Sequence, residues 1–143
     1  MVEASANYVS LVGLEEVKVD HSKPFISYGN ETVFIEDNNF SLAFWFKTSE
    51  NSCHLFDLCG NRIQGSHGNF ICLRMTGTHT NGNGYVYGEL DEDYNGKNYC
   101  AVGDNKYCNL NNGEYHHVLF TRNENKVKLY IDGNLKQEVE CNV

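Results

Sequence analysis

Apolar and polar side chains alternate with a period of two residues along most of the chain, and no helical stripe of useful length interrupts them. This period places successive side chains on opposite faces of an extended strand. The intervening segments are rich in Gly, Asn, Asp and Ser, which are the residues that turns require. Many short strands joined by such turns predict an all-β, antiparallel two-sheet sandwich or jelly roll. The predicted strands are Tyr8–Leu11, Glu16–Asp20, Thr32–Glu36, Phe40–Lys47, His54–Leu58, Asn69–Met75, Gly84–Leu90, Tyr115–Arg122, Lys126–Ile131 and Leu135–Glu140.

The clearest turn signals lie near the C-terminus. Asn123-Glu124-Asn125 separates two alternating runs, and Asp132-Gly133 separates the second of these runs from another. Asp-Gly between alternating apolar runs is a strong signal for a tight hairpin. The last part of the chain is therefore predicted to form an antiparallel meander.

The segment Phe40–Lys47 is apolar on both of its faces. Phe44 and Phe46 lie on one face of the predicted strand, and Ala43 and Trp45 lie on the other. A strand with two apolar faces is usually covered on both of them. We therefore expect this strand to lie centrally in a packed sheet, with Trp45 in the core.

The charge of the chain excludes several classes of partner. The 143 residues, enough for a single domain over residues 1–143, include 19 acidic and 11 basic residues and carry a net charge of −8. An acidic surface without a Lys/Arg cluster repels nucleic acid and anionic membranes. No apolar stretch approaches the ~18 residues that a membrane-spanning helix needs, and the N-terminus lacks the basic and apolar regions of a signal peptide. We therefore expect neither nucleic acid binding nor membrane insertion.

The cysteine content and the sequons favour an extracellular location. The chain has six cysteines, which are Cys53, Cys59, Cys72, Cys100, Cys108 and Cys141. No pair has the C-x-x-C spacing typical of zinc sites, so disulfide bonds are favoured, although several of these side chains could instead be buried free thiols. Disulfides form in oxidising compartments, and the sequons that begin at Asn30 and Asn39 point the same way. We expect a secreted or cell-surface protein.

The longest polar segment, Asp91–Asn112, contains Cys100 and Cys108 near its middle. A long polar loop in a compact domain is usually either functional or disordered. A disulfide between these two cysteines would close a small loop and order the segment. We therefore predict a Cys100–Cys108 disulfide in a functional loop.

Three segments of the chain resemble the laminin-G-like and concanavalin A-like lectin domains. FSLAFWFKTSE resembles the central strand of these domains, and NFICLRM with GYVYGEL resembles the strands that follow it. GEYHHVLFTRNENKVKLYIDGNLK resembles their Trp-His-His-Val … Leu-Tyr-Val-Asp-Gly hairpin, with Tyr115 in place of the Trp. The resemblance covers residues 32–136 and implies a jelly-roll fold with a binding role. It also implies that His116 and His117 make local hydrogen bonds at a strand end and that Asp132 serves the turn.

The strand that contains Tyr85 and Tyr87 offers a candidate ligand-binding face. Alternation points Val86, Gly88 and Leu90 into the core and leaves the other side chains of this strand on an open face. Tyrosine rings stack on sugar rings, and carboxylates accept hydrogen bonds from sugar hydroxyl groups, so this face predicts a carbohydrate site. The predicted site comprises Tyr85, Tyr87, Glu89, Asp91, Arg62, His67, Arg74, Asp93, Tyr94, Asn98 and Tyr99. An ordinary solvated sheet face is the alternative interpretation.

Calcium is common in the family that the chain resembles, but this chain departs from the family's calcium site. Laminin-G-like domains carry an Asp ligand immediately before the strand that NFICLRM resembles, and here that position is Asn69. Asn supplies a carbonyl oxygen without the charge on which calcium affinity depends. Asp91, Glu92 and Asp93 are the alternative calcium ligands, although an acidic run of this kind is more often only solvated.

One branch of this fold hydrolyses β-glucans, which raises an enzymatic alternative. Glu89-Leu90-Asp91-Glu92-Asp93 resembles the acidic motif of those enzymes, but Asp93 stands where a Glu is expected. A shorter side chain misplaces the carboxylate, so catalysis is disfavoured. We therefore predict a non-catalytic module whose partner is a glycan or glycoprotein. The sequence leaves protein–protein adhesion, including homo-oligomers, open as an alternative.

The closing strand of the related domains has its counterpart near the N-terminus of this chain. The relatives continue beyond the Asp-Gly hairpin into this strand, whereas here Leu11–Val19 resembles it. A closing strand lies inside a sheet, so its position must be filled by some segment. We predict that Glu16–Asp20 pairs with the strand containing Trp45 or with its neighbour, which makes the domain either circularly permuted relative to its relatives or one domain of a tandem array.

Overall fold

The computed structural model describes residues 39–62, 68–92 and 97–142, and every regular element in these ranges is a β-strand. The strands are β1 (Phe40–Lys47), β2 (Ser52–Arg62), β3 (Gly68–Thr76), β4 (Tyr85–Asp91), β5 (Tyr99–Val102), β6 (Tyr115–Asn123), β7 (Lys126–Ile131) and β8 (Asn134–Glu140). Sheet A has the strand order β1-β6-β7-β8 and sheet B has the order β2-β3-β4-β5, with antiparallel pairing between neighbours. The described residues contain no helix long and apolar enough to cross a membrane.

The strand boundaries follow the alternation of the sequence closely. β1 and β7 begin and end at the predicted residues, whereas β2 extends beyond its predicted run on both sides. The alternation predicts no strand at β5, because this strand is only four residues long and lies inside a polar segment. The predicted strands before residue 39 lie outside the described residues. The two antiparallel sheets confirm the predicted all-β jelly-roll sandwich.

The core lies between the two sheets and is built from the inward-facing side chains of both. Sheet A contributes Phe46, Val118, Phe120, Val127, Leu129 and Ile131, and sheet B contributes Leu73, Met75, Val86, Leu90 and Val102. Gly88 lies where the sheets approach closely, since a Cβ atom at this position would be 2.7 Å from the ring of Phe120. The inward orientation predicted for Val86, Gly88 and Leu90 is therefore confirmed.

Trp45 departs from its predicted position. Phe44 and Phe46 pack towards the core, but Trp45 lies on the outer face of sheet A and is 66% exposed. The prediction of a core position is wrong. The apolar character of a strand face makes burial favourable, but it does not show that another layer of the protein packs on that face. Among the described strands, β1 lies at the end of sheet A rather than at its centre.

The C-terminal hairpins have the predicted turn chemistry. Glu124 lies in the β6–β7 turn with φ 55°, and Asp132 and Gly133 form the β7–β8 turn with φ 51° and 79°. At Asp132-Gly133 both central residues have positive φ, which is typical of hairpin turns whose twist matches that of the strands they join. Asp132 accepts a hydrogen bond of 2.8 Å from the backbone N–H of His117, and its other oxygen lies 2.8 Å from Nδ1 of His116. These contacts confirm the meander and the local hydrogen bonding predicted for His116.

Candidate functional site

The outer face of sheet B, which points away from the core, carries several of the predicted site residues. Strand pairing places Arg74 of β3 beside Tyr87 of β4, and it places Asp91 of β4 beside Tyr99 of β5. These positions alternate along their strands with residues of the core. The regular alternation of adjacent strands therefore assembles one polar face from residues that are distant in the sequence.

Glu89 lies at the centre of this face and is only 5% exposed. Its Oε1 atom accepts a hydrogen bond of 2.6 Å from the Tyr99 hydroxyl, and its Oε2 atom accepts one of 3.2 Å from the Cys72 thiol. The same Oε2 atom lies 2.7 Å from Nε of Arg74, whose N–H is not directed along this contact, so the two groups form an ion pair without a hydrogen bond at Nε. A buried carboxylate requires both charge pairing and hydrogen bonds, and these neighbours supply them.

The more exposed part of the face consists of tyrosines and an arginine. The guanidinium carbon of Arg74 lies 4.8 Å from the ring centroid of Tyr87, which in turn lies 5.9 Å from the ring centroid of Tyr85. Tyr85 and Tyr87 are partly exposed, and Tyr99 is 39% exposed. Cation–π attraction and ring packing hold Arg74, Tyr87 and Tyr85 together, and Tyr99 is connected to Arg74 through Glu89. We name Arg74, Tyr85, Tyr87 and Tyr99 the tyrosine–arginine patch.

The ionisable donors around Glu89 stay protonated at neutral pH. Burial raises the pKa of the Cys72 thiol to about 12, and the charge of Glu89 adds to this shift. Burial also raises the pKa values of Tyr87 and Tyr99, with a contribution at Tyr99 from the hydrogen bond to Glu89. Neutral thiol and phenol groups therefore surround one carboxylate and one guanidinium. Such a face can donate hydrogen bonds to a hydroxyl-rich ligand without losing a proton.

The acidic half of the predicted site is less open than the alternation predicts. Glu89 is 5% exposed and Asp91 is 4% exposed, whereas Tyr85 and Tyr87 are partly exposed. The prediction that both carboxylates stand on an open face is wrong. Alternation determines which face a side chain takes, but the depth at which it lies depends on the surrounding structure. The carboxylate of Glu89 therefore contacts its protein neighbours rather than solvent.

The remaining predicted site residues are distributed more widely. Asn98 is exposed just before β5, and its carbonyl oxygen accepts a hydrogen bond of 3.2 Å from the Glu92 N–H. Arg62 is the last residue of β2, the strand beside β3. The predicted site omits Cys72, although its spacing of two residues from Arg74 indicates the same face. The residues outside the described ranges are His67, Asp93 and Tyr94.

The proposed calcium ligands are only partly described. Asn69 lies on β3, Asp91 is a buried residue of β4, and Asp93 lies outside the described residues. Within the described ranges, no group of three or more His, Cys, Asp or Glu side chains is arranged to hold a metal ion. Calcium binding therefore stays a prediction.

The cysteines are arranged differently from the predicted pair. Cys100 belongs to the core, and the thiol that it contacts is that of Cys141. Cys108 lies in the following loop, where it lines a cavity of about 320 Å³ beside the β7–β8 hairpin. The thiols of Cys100, Cys108 and Cys141 are all free in this structure, which shows no bond at the predicted pair. Their spacing suggested a staple within one loop, but β5 turns Cys100 away from that loop and into the core.

The two-sheet sandwich and the family comparison place the chain among lectin-like or adhesion modules in general. A laminin-G family model, described as the concanavalin A-like lectin/glucanases superfamily, matches residues 20–142. Because the match spans most of the sequence, the chain belongs to this family.

A solved structure supports the same fold. The chain is similar to domains LG4–5 of the mouse laminin α1 chain, with a TM-score of 0.53 and 15% sequence identity. The alignment covers 71% of this chain and 23% of the laminin chain, so the protein spans less than a quarter of that chain. At this identity the likeness shows the fold alone. No curated protein sequence matches the chain.

Proposed function

We propose that the protein is a non-catalytic, lectin-like module that binds a glycan through the tyrosine–arginine patch. The observation that carries this proposal is a cluster of partly exposed tyrosines beside a guanidinium, held from below by buried Glu89. Aromatic rings stack on the apolar faces of sugars, and guanidinium and phenol groups donate hydrogen bonds to sugar hydroxyl groups. The patch combines both kinds of group on one sheet face.

The contacts beneath the patch favour binding because they hold its side chains in place. Glu89 accepts a hydrogen bond from Tyr99 and attracts Arg74, and Arg74 lies over the ring of Tyr87. Side chains that are already ordered lose less rotamer freedom when a ligand binds. Glu89 is therefore assigned a positioning role, while the exposed patch residues contact the sugar.

A glycan array with the purified protein tests the proposal, followed by calorimetry with the strongest ligand. Tyr87→Ala should weaken binding at least tenfold, about 1.4 kcal/mol, while the protein stays folded by circular dichroism. The matched control is Tyr115→Ala, which removes a tyrosine that is 49% exposed on the outer face of sheet A. This control should leave glycan affinity unchanged. A blank array, or equal losses in both variants, contradicts the proposal.

The non-catalytic part of the proposal rests on the surroundings of Glu89. A glycosidase nucleophile needs a carboxylate oxygen that can reach the substrate, whereas both oxygens of Glu89 are engaged by neighbouring side chains. Asp91, the next carboxylate of the resembling motif, is 4% exposed. We therefore expect no release of reducing sugar from a β-glucan such as laminarin. Release that Glu89→Gln abolishes would show that the module is an enzyme.

A secreted or cell-surface location, with a glycoprotein as the natural partner, is part of the same proposal. Its support is the laminin-G-like family, the six cysteines and the sequons that begin at Asn30 and Asn39. Expression through a mammalian secretory pathway should yield a protein that loses mass on treatment with an N-glycosidase. No change in mass in the wild type would remove the support that the sequons provide.

The outer face of sheet A favours a second candidate function, which is protein–protein adhesion. Trp45 is 66% exposed on this face, and Tyr115 and Leu135 are each 49% exposed there. The ring of Trp45 lies 5.1 Å from that of His117 in an edge arrangement, and Lys47 lies over the ring of Tyr115 at 5.2 Å. Large apolar side chains exposed on one face are typical of protein interaction sites.

A pair of variants distinguishes the two candidate functions. If the protein acts in adhesion, Trp45→Ala should weaken self-association or binding to a protein partner and leave glycan affinity unchanged. Tyr87→Ala should have the opposite effect. Sedimentation velocity measures self-association. A monomer in which Trp45→Ala changes nothing contradicts a homo-oligomeric role for this face.

A further inference from the structure

Two buried thiols meet where the ends of the two sheets approach each other. Cys100 lies on β5 of sheet B, and Cys141 directly follows β8 of sheet A. They are 9% and 2% exposed, and both belong to the hydrophobic core. The strands β5 and β8 contact each other, and the thiol of Cys141 is the hydrogen-bonding neighbour of the Cys100 thiol. Two cysteines that are distant in the sequence are therefore neighbours across the sandwich.

Hydrogen bonds hold the backbone on both sides of this pair. The N–H of Cys141 donates to the carbonyl oxygen of Asn125 at 2.6 Å, and Cys100 lies within the paired part of β5. One hydrogen bond links the end of β5 to β8, because the N–H of Gly103, which follows β5, donates to Oε1 of Gln137 in β8 at 2.5 Å. The strands that carry the thiols are thus joined independently of the thiols themselves.

The other cysteines whose side chains are described have different surroundings. The thiol of Cys72 donates to Glu89 on the outer face of sheet B. Cys53 makes a hydrogen bond with Thr48, and Cys108 lines the cavity beside the β7–β8 hairpin. Among these side chains, Cys141 is therefore the partner that the fold brings to Cys100.

We propose that Cys100 and Cys141 form a disulfide bond that ties the end of sheet B to the end of sheet A. Each thiol loses its proton, one S–S bond forms, and two electrons pass to an oxidant. The oxidant is a small-molecule disulfide such as oxidised glutathione, which is reduced to two thiols. This bond does not depend on glycan binding, so either proposal can fail without the other.

Burial of the pair determines when the bond forms. Burial, together with the hydrogen bond between the two thiols, raises the pKa of Cys100 to about 12. Because the thiolate is the attacking species, the folded and reduced protein is oxidised slowly. The bond therefore forms during folding, before the core closes, and is afterwards shielded from reductants.

The disulfide also stabilises the strand that carries Tyr99. β5 is four residues long and lies at the end of sheet B among the described strands, so few backbone contacts hold it. Tyr99 precedes Cys100 and donates the 2.6 Å hydrogen bond to Glu89 beneath the tyrosine–arginine patch. Oxidation therefore supports the geometry of the patch as well as the contact between the sheets.

Peptide mapping of the refolded protein tests the proposal directly. Trypsin cleaves after Lys97, Lys106 and Lys136 and so separates Cys100, Cys108 and Cys141. The full chain is refolded with reduced and oxidised glutathione, alkylated and digested without reduction. The expected product is Asn98–Lys106 joined to residues 137–143, and it disappears on reduction. A link from Asn98–Lys106 to the peptide with Cys108, or alkylation of both Cys100 and Cys141, overturns the proposal.

Variants separate this bond from other thiol chemistry. Cys108→Ser should keep the link, whereas Cys141→Ser should lose it and leave Cys100 alkylated. Reduction should lower the melting temperature of the wild type and of Cys108→Ser by roughly 8–15 °C, because the bond closes a long loop. If reduction lowers the melting temperature of the double variant Cys100→Ala/Cys141→Ala by the same amount, the disulfide does not have the proposed stabilising role. If that double variant does not fold, the mapping of the wild type decides.

Discussion

At the scale of single residues, Glu89 shows how one buried side chain can organise an exposed surface. Desolvation of a carboxylate costs several kcal/mol, which here is offset by the charge of Arg74 and the hydrogen bonds from Tyr99 and Cys72. The same contacts determine where the exposed side chains of the patch lie. A substitution at Glu89 should therefore change both the free energy of unfolding and the arrangement of the exposed side chains of the patch.

The ion pair between Glu89 and Arg74 should contribute measurably to stability. Glu89→Gln keeps the size of the side chain but removes the charge that faces Arg74, so the free energy of unfolding should fall by about 1–3 kcal/mol in urea denaturation. The control is Glu138→Gln, which removes the partner of Lys128 at 3.1 Å on the surface of sheet A and should change stability little. Equal changes in the two variants would contradict the role of burial.

Asp132 should make part of the stability depend on pH. Burial alone raises its pKa, but hydrogen bonds from His116 and from the backbone N–H of His117 more than offset this and hold the pKa below its ordinary value. A group with a lowered pKa contributes stability that is complete above its unfolded pKa and is lost as the pH falls through the folded value. Asp132→Asn, which tolerates the same positive φ, should therefore lose less stability than the wild type between about pH 6 and about pH 3. Equal losses of unfolding free energy in the wild type and in Asp132→Asn over this pH range, measured by urea denaturation, would contradict the prediction.

At the scale of elements, the turns were the most predictable features because their chemistry is local. Asp132-Gly133 has positive φ at both positions, and these residue types adopt that conformation at little cost. β5 was the least predictable strand, since its four residues give too short an alternating run to stand out from a polar segment. Its pairing with β4 depends on a neighbour that the local pattern does not contain.

The contact between β4 and β6 should depend on the absence of a side chain at Gly88. A Cβ atom there would lie 2.7 Å from the ring of Phe120, which is fully buried. Gly88→Ala should therefore lower the free energy of unfolding by about 1–3 kcal/mol through overpacking. Phe120→Leu should make room for the added methyl group, so the double variant should be more stable than the sum of the single effects predicts. Additive effects in thermal denaturation would contradict the direct contact.

At the scale of the whole molecule, the two outer faces differ in character. The outer face of sheet B carries Arg74 and Glu89 with their tyrosine neighbours, whereas the outer face of sheet A exposes Trp45 and Leu135. A sandwich of this kind can present a polar surface to one ligand and an apolar surface to another. This is why variants on opposite faces are the most informative controls for each other.

The order of strands in sheet A should be completed by the N-terminal part of the chain. β1 lies at the end of the described sheet, where the predicted closing strand would pair. Glu16–Asp20 lies outside the described residues, and the circular permutation that we predict for it is testable by nuclear magnetic resonance. Backbone contacts between Glu16–Asp20 and Phe40–Lys47 or its neighbour are expected in the labelled protein. If Glu16–Asp20 shows no backbone contact with Phe40–Lys47 or with the neighbouring strand, the predicted permutation is wrong.

The sequence by itself determined the strands and the direction of most side chains. The bounds of β1 and β7, the turn at Asp132-Gly133 and the inward orientation of Val86 all follow from it. The physical reason is that backbone sterics and the two-residue period of a strand act over short distances. Even the shared face of Tyr85 and Tyr87 required nothing beyond their spacing.

Only the tertiary structure decided how deeply each face is covered and which distant side chains meet. Trp45 is exposed and Glu89 is buried, although the sequence predicts a covered Trp45 from its apolar neighbours and an open Glu89 from its position on the strand. Cys100 contacts Cys141 rather than Cys108, which is much closer in the sequence. The burial of a side chain and its contacts with distant residues depend on how the two sheets stack and on where their ends meet. The alternating pattern of a single strand contains no information on the stacking or on the ends.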